Sequence, residues 1–386
     1  MVAGTYQITG PQVIRFGAGT LNTLSDEATR VKAKKALIVT DPGVNQAGLV
    51  KPVQDELSRA DLSVDVFPDA EPEPTMTRLN AAAGELRIGR YDLLVGLGGG
   101  SSIDTAKGLS VLLAHGGDVQ DYIGVDKVPG PGIPVFAIPT TAGTGSEVTN
   151  IAIFSNTEKQ LKQGMVSPYL FARLALVDPT FTYGCPPKVT AASGIDALVH
   201  AIECYTSNKA SNFTDAVAAR AMQLIVGSLR TAVSNGSDET ARSHMAEGSL
   251  LAGIAFGNAG VAAVHALAYP LGARFHVSHG VANGLLLPYV MECNLSADLA
   301  KYAFVTRMLG VNIEGMTSEQ AAERGVAAIK SLVADIGIPA RLRDVGVPQE
   351  ALEGMAVATM DVTRLLANNP KKLTLEDVRG IWQNAW

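Results

Sequence analysis

Two short runs in the first hundred residues, Ala-Leu-Ile-Val-Thr (36–40) and Leu-Leu-Val-Gly-Leu (93–97), are apolar almost throughout and show no alternation with polar side chains. A strand with one face in water alternates. A strand covered on both faces need not, and this is the condition of parallel sheets sandwiched between helices. Around these runs the chain predicts a strand at Leu62–Phe67 and another at Pro134–Ile138, the latter after a Pro- and Gly-rich loop at Val128–Pro134. Helical patterns fall near Gln46–Ala60, near Met76–Gly89 and after Ser101. This βαβ rhythm predicts an α/β domain built on a parallel sheet with helices on both faces. Irregular or hairpin-like strands are expected over Val148–Phe154 and Leu174–Val177, where β-branched residues are interrupted by Asn, Ser and Thr.

The pattern changes at Cys185-Pro186-Pro187, beyond which Ala- and Leu-rich helical periodicity runs to the end. Adjacent prolines are disfavoured inside a helix and suit its entry. The 386 residues therefore divide into an α/β domain, 1–186, and an all-α domain, 187–386. A cleft between two such halves is where a ligand is expected. One stretch of the second half, Ser249 to Ala273, contains no charged residue and is long enough to cross a bilayer. It also holds Asn258, His265, Pro270 and four glycines. It is therefore expected to be a helix buried on all sides inside the protein, with the imidazole of His265 partnered.

Composition narrows the function classes. Apolar residues make up 47% of the chain and charged ones 18%, so it can fill a core and is not intrinsically disordered. With 31 basic against 37 acidic residues the net charge is −6, which offers nothing to a nucleic acid backbone or an anionic membrane surface. Cys185, Cys204 and Cys293 are odd in number and far apart, which fits neither a disulfide framework nor a CxxC site and predicts a reducing, cytoplasmic setting. The first ten residues have neither the basic nor the apolar region of a secretory signal and read as mature protein.

Three loops of the α/β half carry ligand-binding chemistry. Gly98-Gly99-Gly100-Ser101-Ser102-Ile103-Asp104 lies between an apolar strand and a helix, where glycines let phosphate approach backbone N–H groups at the helix N-terminus. The plainer alternative is a Gly-rich turn with a Ser N-cap. Asp41, at the end of the strand 36–40, is placed to accept hydrogen bonds from a ribose and to repel a 2′-phosphate. Asp41-Pro42-Gly43 as a simple turn fits equally well. Thr140-Thr141-Ala142-Gly143-Thr144-Gly145-Ser146-Glu147 is dense in hydroxyl donors and suits a pyrophosphate or an amide-bearing ring, or a solvated turn.

In the helical half Asp196 and His200 stand four apart and share a helix face, His265 opens the cluster His-Ala-Leu-Ala-Tyr, and His279-Gly280 follows fourteen residues later. Three of the six histidines of the chain fall in these contexts. One carboxylate and three imidazoles suit a divalent ion such as Fe²⁺ or Zn²⁺ with a coordination position left for substrate. A salt-bridged helix face and a satisfied core histidine are the competing readings. Cys204 continues the Asp196/His200 spacing and is read as a buried structural thiol ahead of a fifth ligand. Arg274 follows the charge-free run and is either a surface residue or a partner for a substrate carboxylate.

Taken together and in order, Gly-Gly-Gly-Ser-x-x-Asp, Thr-Thr-x-Gly-Thr-x-x-Glu, Asp-Ala-x-x-His, and His-Ala followed by His-Gly-x-x-Asn closely resemble the iron-containing (group III) alcohol dehydrogenases over essentially the whole chain. The resemblance implies a dehydroquinate synthase-like fold, with an N-terminal nucleotide-binding domain and a helical metal-binding domain. It implies the metal ligands Asp196, His200, His265 and His279, and NAD contacts at Asp41, Gly99, Gly100, Ser101, Asp104, Thr140, Thr141, Thr144, Ser146 and Lys162. Lys162 is named by the resemblance alone. Many members carry a further His four residues after the third ligand, and here that position is Tyr269. A proton-relay role for that His does not carry over. Tyr269, as relay or as aromatic wall, and His276 are the candidates in its place. The implied activity is reversible hydride transfer between NAD and a small alcohol or its aldehyde or ketone, with Fe²⁺ or Zn²⁺ polarising the substrate oxygen, in a homodimer. In the dimer an N-terminal strand, Tyr6–Ile8 or Val13–Phe16, would pair across the two-fold. A dehydroquinate synthase-like metal- and NAD-dependent lyase is the rival chemistry, and a non-catalytic nucleotide- or metal-sensing protein the remote one.

Overall fold

The computed structural model describes residues 5–158 and 161–386; the first four residues of the stretch read as a mature N-terminus lie outside it. The chain forms two compact units, one from Gly10 to Cys185 and the other from Pro186 to Trp386. The stretch ending at Thr9 belongs with the second unit rather than with the sheet that follows it. Asn258 explains this attachment: its Oδ1 accepts from the Thr9 amide at 2.8 Å and its Nδ2 donates to the Thr9 carbonyl at 3.0 Å.

Among the described residues of the first unit there are nine strands: β1 (Val13–Phe16), β2 (Lys35–Val39), β3 (Ser63–Phe67), β4 (Leu93–Gly98), β5 (Gly124–Val125), β6 (Val135–Pro139), β7 (Ile151–Asn156), β8 (Leu161–Val166) and β9 (Leu174–Val177). Six of them make one parallel sheet in the order β1-β9-β6-β4-β2-β3. Its apolar runs are continuous because both faces are covered. Leu37 and Val39 of β2 pack in one core with Met76, Leu79, Ala106 and Leu109. Ala36 and Ile38, pointing the other way, pack in a second core with Leu24, Val53 and Leu57.

Two sequence expectations change here. Leu174–Val177 is not hairpin-like: it is a fully buried parallel strand between β1 and β6, and its lack of alternation is the signature of that position. The hairpin lies at β7 and β8, which pair antiparallel and join β5 in a small three-stranded sheet. The helix expected near Gln46–Ala60 is a short helix at Pro42–Gln46 followed by one at Val50–Arg59. Of the two candidate N-terminal strands, Val13–Phe16 is β1, at a sheet edge, whereas Tyr6–Ile8 is irregular and exposed.

In the second unit the helices Pro187–Thr206, Asn212–Ser234 and Glu239–Ala259 pack against one another. The charge-free run is not one buried helix. It spans the end of Glu239–Ala259 and most of Ala263–Phe275, whose axes differ by 101°. Gly260 makes the break with a φ of +72°, a conformation that costs other residues strain, and Asn368 stands where a Cβ would project. The turn is fastened by Ser207 Oγ donating to the Ala259 carbonyl at 2.8 Å and Asn368 Nδ2 donating to the Val261 carbonyl at 2.9 Å. Among the described residues no single helix is long and apolar enough to cross a membrane.

Candidate active site

The direction of chain progression in the large sheet reverses between β2 and β4, the place where a doubly wound sheet opens a crevice at the carboxyl ends of its strands. Asp41 follows β2, and Gly98 ends β4 with Gly99 and Gly100 opening the next helix. Gly98 pairs with Pro139 of β6, so the next residues, Gly99 and Thr140, leave the sheet side by side. The geometry allows no side chain at Gly98 or Gly100. Gly98 has a φ of +151° with Ser102 Cβ 2.7 Å from where its own would be, and a Cβ on Gly100 would meet Thr144 at 2.8 Å.

The helix Gly100–His115 starts from Gly99, which brings no side-chain acceptor to the first-turn amides. Ser101 and Ser102 are not its N-cap. Ser102 Oγ donates to Asp41 Oδ2 at 3.1 Å, while Asp41 Oδ1 accepts from the Val44 amide at 3.0 Å and caps the helix Pro42–Gln46. Asp41 thus makes the turn contacts that the sequence allowed, and it also ties the β2 and β4 loops together. Asp41, Gly99, Gly100, Thr141 and Thr144 are brought to one place, a helix N-terminus in a glycine cradle suited to a pyrophosphate.

Asp104 and Ser146 serve each other: Ser146 Oγ donates to Asp104 Oδ1 at 2.5 Å, and Asp104 Oδ2 accepts from the Ile153 amide. Beside them is a residue the sequence reading missed, Lys107, fully buried. Its Nζ donates to the carbonyls of Ser146, Thr149 and Ile151 at 2.7, 2.8 and 2.9 Å. Burial pulls the Lys107 ammonium down to about 8 despite Asp104 and Glu147 nearby. Burial also raises the carboxyl of Glu147, to about 7, and that of Asp104. Three ionisable groups buried together fix the loop 144–151 from behind. The available signal was the three-residue spacing of Asp104 and Lys107 on one helix. Lys162, on β8, forms an ion pair with Glu73 at 2.7 Å.

In the second unit the ligand atoms of Asp196, His265 and His279 all lie within 4.8 Å of one another. Asp196 comes from the helix Pro187–Thr206, His265 from the first turn of Ala263–Phe275, and His279 from the start of His279–Asn294. His200 is one turn beyond Asp196, stacked between Phe256 and His265 with ring centroids 4.5 and 4.7 Å away. Burial would push the Asp196 carboxyl up, but His200, His279, His265 and the Asn283 amide together hold it below its ordinary value.

Two further side chains complete the cluster. Asn283, quoted in the His-Gly-x-x-Asn motif without a role, places Nδ2 2.6 Å from Asp196 Oδ1, 3.2 Å from His265 Nε2 and 3.1 Å from His279 Nε2. Its own Oδ1 is buried and bonded to nothing among the described residues. Three acceptors therefore converge on one weak positive pole at the expense of an orphaned carbonyl, and a divalent cation fits that donor set better than an amide. Glu203 Oε2 accepts from His265 Nδ1 at 2.6 Å. Its spacing of seven from Asp196, on the same helix face, was the signal for it.

The relay candidates sit differently. Tyr269 packs against the apolar cluster of Val261, Ala266 and Leu365, its ring centroid 6.4 Å from that of His279. His276 is exposed, in a left-handed conformation that ends the helix Ala263–Phe275. Arg274 is exposed. Cys204 is buried, its Sγ 3.6 Å from the Gly260 carbonyl, and burial raises its thiol well above the ordinary range, as a structural cysteine requires.

A doubly wound sheet with a glycine cradle and a helical unit with an Asp/His cluster suit a protein that uses a nucleotide and a metal ion. Residues 11–179 match the iron-containing alcohol dehydrogenase family, and residues 190–386 match the C-terminal part of the Fe-containing alcohol dehydrogenase family. The chain belongs to the iron-containing alcohol dehydrogenases. It is 44% identical over 383 residues to a long-chain-alcohol dehydrogenase of Geobacillus thermodenitrificans, covering 98% of this chain and 96% of that one. A crystal structure of a 1,3-propanediol oxidoreductase superposes with a TM-score of 0.96 at 38% identity, over 99% of this chain and all of the other. A sulfoacetaldehyde reductase from Bifidobacterium kashiwanohense, solved with NAD⁺, gives 0.89 at 31% over 99% of both chains. The protein is accordingly an oxidoreductase that interconverts alcohols and their carbonyl counterparts.

Proposed function

We propose that this chain is an NAD-linked, divalent metal-dependent dehydrogenase of a small alcohol, with the metal held by Asp196, His200, His265 and His279. The observation that carries this reading is the convergence of the Asp196, His265 and His279 ligand atoms on one point behind the Asn283 amide. When bound, the ion supplies Lewis acidity toward a substrate oxygen and the nicotinamide supplies the hydride chemistry.

The chain's own residues do the rest. The amides at the start of Gly100–His115 hold the pyrophosphate, Thr140, Thr141 and Thr144 line the cradle, and the Asp104–Ser146 bond fixes its floor. Asp41 disfavours a 2′-phosphate, so the cofactor is NAD rather than NADP. Lys162, paired with Glu73, offers its remaining N–H donors to the cofactor. Tyr269 forms an apolar wall of the substrate pocket rather than a proton relay. His276, exposed at a helix end, is left as the candidate imidazole for the relay. The relatives, which are alcohol dehydrogenases and aldehyde reductases, favour this chemistry over the lyase alternative.

The exposed Ile14 on the edge strand β1 supports a homodimer formed by pairing of β1 across a two-fold axis. Three free cysteines support a reducing, cytoplasmic setting. The test is elemental analysis of the purified protein with NAD⁺ reduction assays before chelation, after chelation, and after return of Fe²⁺ or Zn²⁺ across alcohols, diols and hydroxy acids. About one ion per chain, with activity tracking it, is expected. Activity indifferent to chelation overturns the reading.

A further inference from the structure

We infer that Glu203 is a positioning residue for His265, holding the imidazole as the Nδ1–H tautomer with its Nε2 lone pair directed into the Asp/His cluster. A carboxylate oxygen only accepts, so the 2.6 Å contact between Glu203 Oε2 and His265 Nδ1 places the proton on Nδ1. A second contact, on the other side of the ring, fits the same tautomer. Asn283 Nδ2 carries only donor hydrogens, and it stands 3.2 Å from His265 Nε2, which is free to accept in the Nδ1–H form. Stacking on His200 fixes the plane of the ring between these two constraints.

Glu203 itself has little freedom. It is buried, and its oxygens also accept from the amides of Val264 at 2.6 Å and Ala262 at 2.9 Å. These are the entry amides of the helix Ala263–Phe275, whose N-cap residue, Ala262, has no side-chain acceptor. The carboxylate therefore caps one helix while standing on another, the helix that supplies Asp196 and His200. The break at Gly260 is what turns those amides toward it. One side chain thus locks the distance and rotation between two ligand-bearing helices.

The consequence for metal binding rests on the reading proposed above. A carboxylate behind a ligating imidazole raises its basicity and fixes its aim, and removing such a partner weakens metal affinity by about 10- to 100-fold.

The experiment is ¹⁵N-histidine NMR of the metal-free protein, with His265 assigned by its loss in His265→Gln, alongside chelator competition for Fe²⁺ and Zn²⁺. It compares wild type with Glu203→Gln, which keeps the shape but sets an amide donor where one of the two accepting oxygens stood. Expected are an Nδ1–H His265 in the wild type, loss of that tautomer in Glu203→Gln, and affinity lower by about 10- to 100-fold. Partial recovery is expected in Glu203→Asp. A wild-type His265 protonated on Nε2 overturns the inference whether or not any variant folds. So does a Glu203→Gln protein that melts earlier yet keeps both tautomer and affinity, because Glu203 is then only a cap. A wild type that binds no metal but shows the tautomer and its loss overturns the metal reading and supports the placement of His265.

Discussion

The carbonyl of Ala192 occupies the space where a side chain on Gly280 would begin, and even the Ala192 Cα lies only 3.3 Å from that position. The glycine after His279 is therefore the contact point of two helices. Ala192 is one turn before Asp196, so this close approach is what brings the first turn of His279–Asn294 to the carboxylate. Gly280→Ala should cost about 1–3 kcal/mol of stability by overpacking against backbone that cannot rotate away. Metal content should fall with it, read by thermal melting and elemental analysis. Unchanged melting and occupancy would show that the helices tolerate separation.

His279 is half-buried, so its removal should leave the fold largely intact. His279→Ala should lose most of the bound metal and about a thousandfold in kcat/KM, the several kcal/mol that a Lewis acid contributes. Retention of stoichiometric metal in that variant would remove His279 from the ligand set.

A cofactor defect should be separable from a metal defect. A Cβ on Gly100 meets Thr144 at 2.8 Å, so Gly100→Ala should displace the Thr141–Ser146 loop and weaken NAD⁺ binding by about tenfold or more, equivalent to about 1.4 kcal/mol. Metal content should stay at the wild-type level. Calorimetric NAD⁺ titration beside elemental analysis checks both halves.

Burial raises the Glu147 carboxyl from 4.5 to about 7. Below pH 4.5 the folded and unfolded chains both hold this proton. Between 4.5 and 7 the folded chain keeps a proton that the unfolded chain releases, so stability falls as pH rises through that window and levels off above it. The contribution is at most about 3 kcal/mol. Glu147→Gln should flatten this part of the stability profile in denaturant titrations. A slope identical to wild type would show that Glu147 ionises freely in the folded protein.

Tyr269→Phe keeps the ring that packs on Val261, Ala266 and Leu365. As a wall residue it should leave kcat and its pH profile within a few-fold of wild type, whereas a relay would cost about 10²–10⁴. A loss of that size with a displaced pH optimum would make the hydroxyl a proton carrier.

The sequence by itself pointed to the sheet, because residues 36–40 and 93–97 have no polar alternation, as suits a doubly covered parallel strand, and alternate with helical patterns. It also placed the glycine loop after β4 and singled out Asp196, His265 and His279, since fixed spacings on helices and short motifs are local properties. The sequence misled at Leu174–Val177, where four residues hold too few periods to tell a central strand from a hairpin. The bend at Gly260 was hidden for a different reason: a charge-free run reports burial, not direction. Lys107, Glu203 and Asn283 had only a spacing or a motif position in the sequence, and their roles were decided by tertiary structure. A lysine, a glutamate and an asparagine are ordinarily surface residues, and they become buried partners only where folding removes water and supplies carbonyls, amides and imidazoles from segments 39, 62 and 87 positions away.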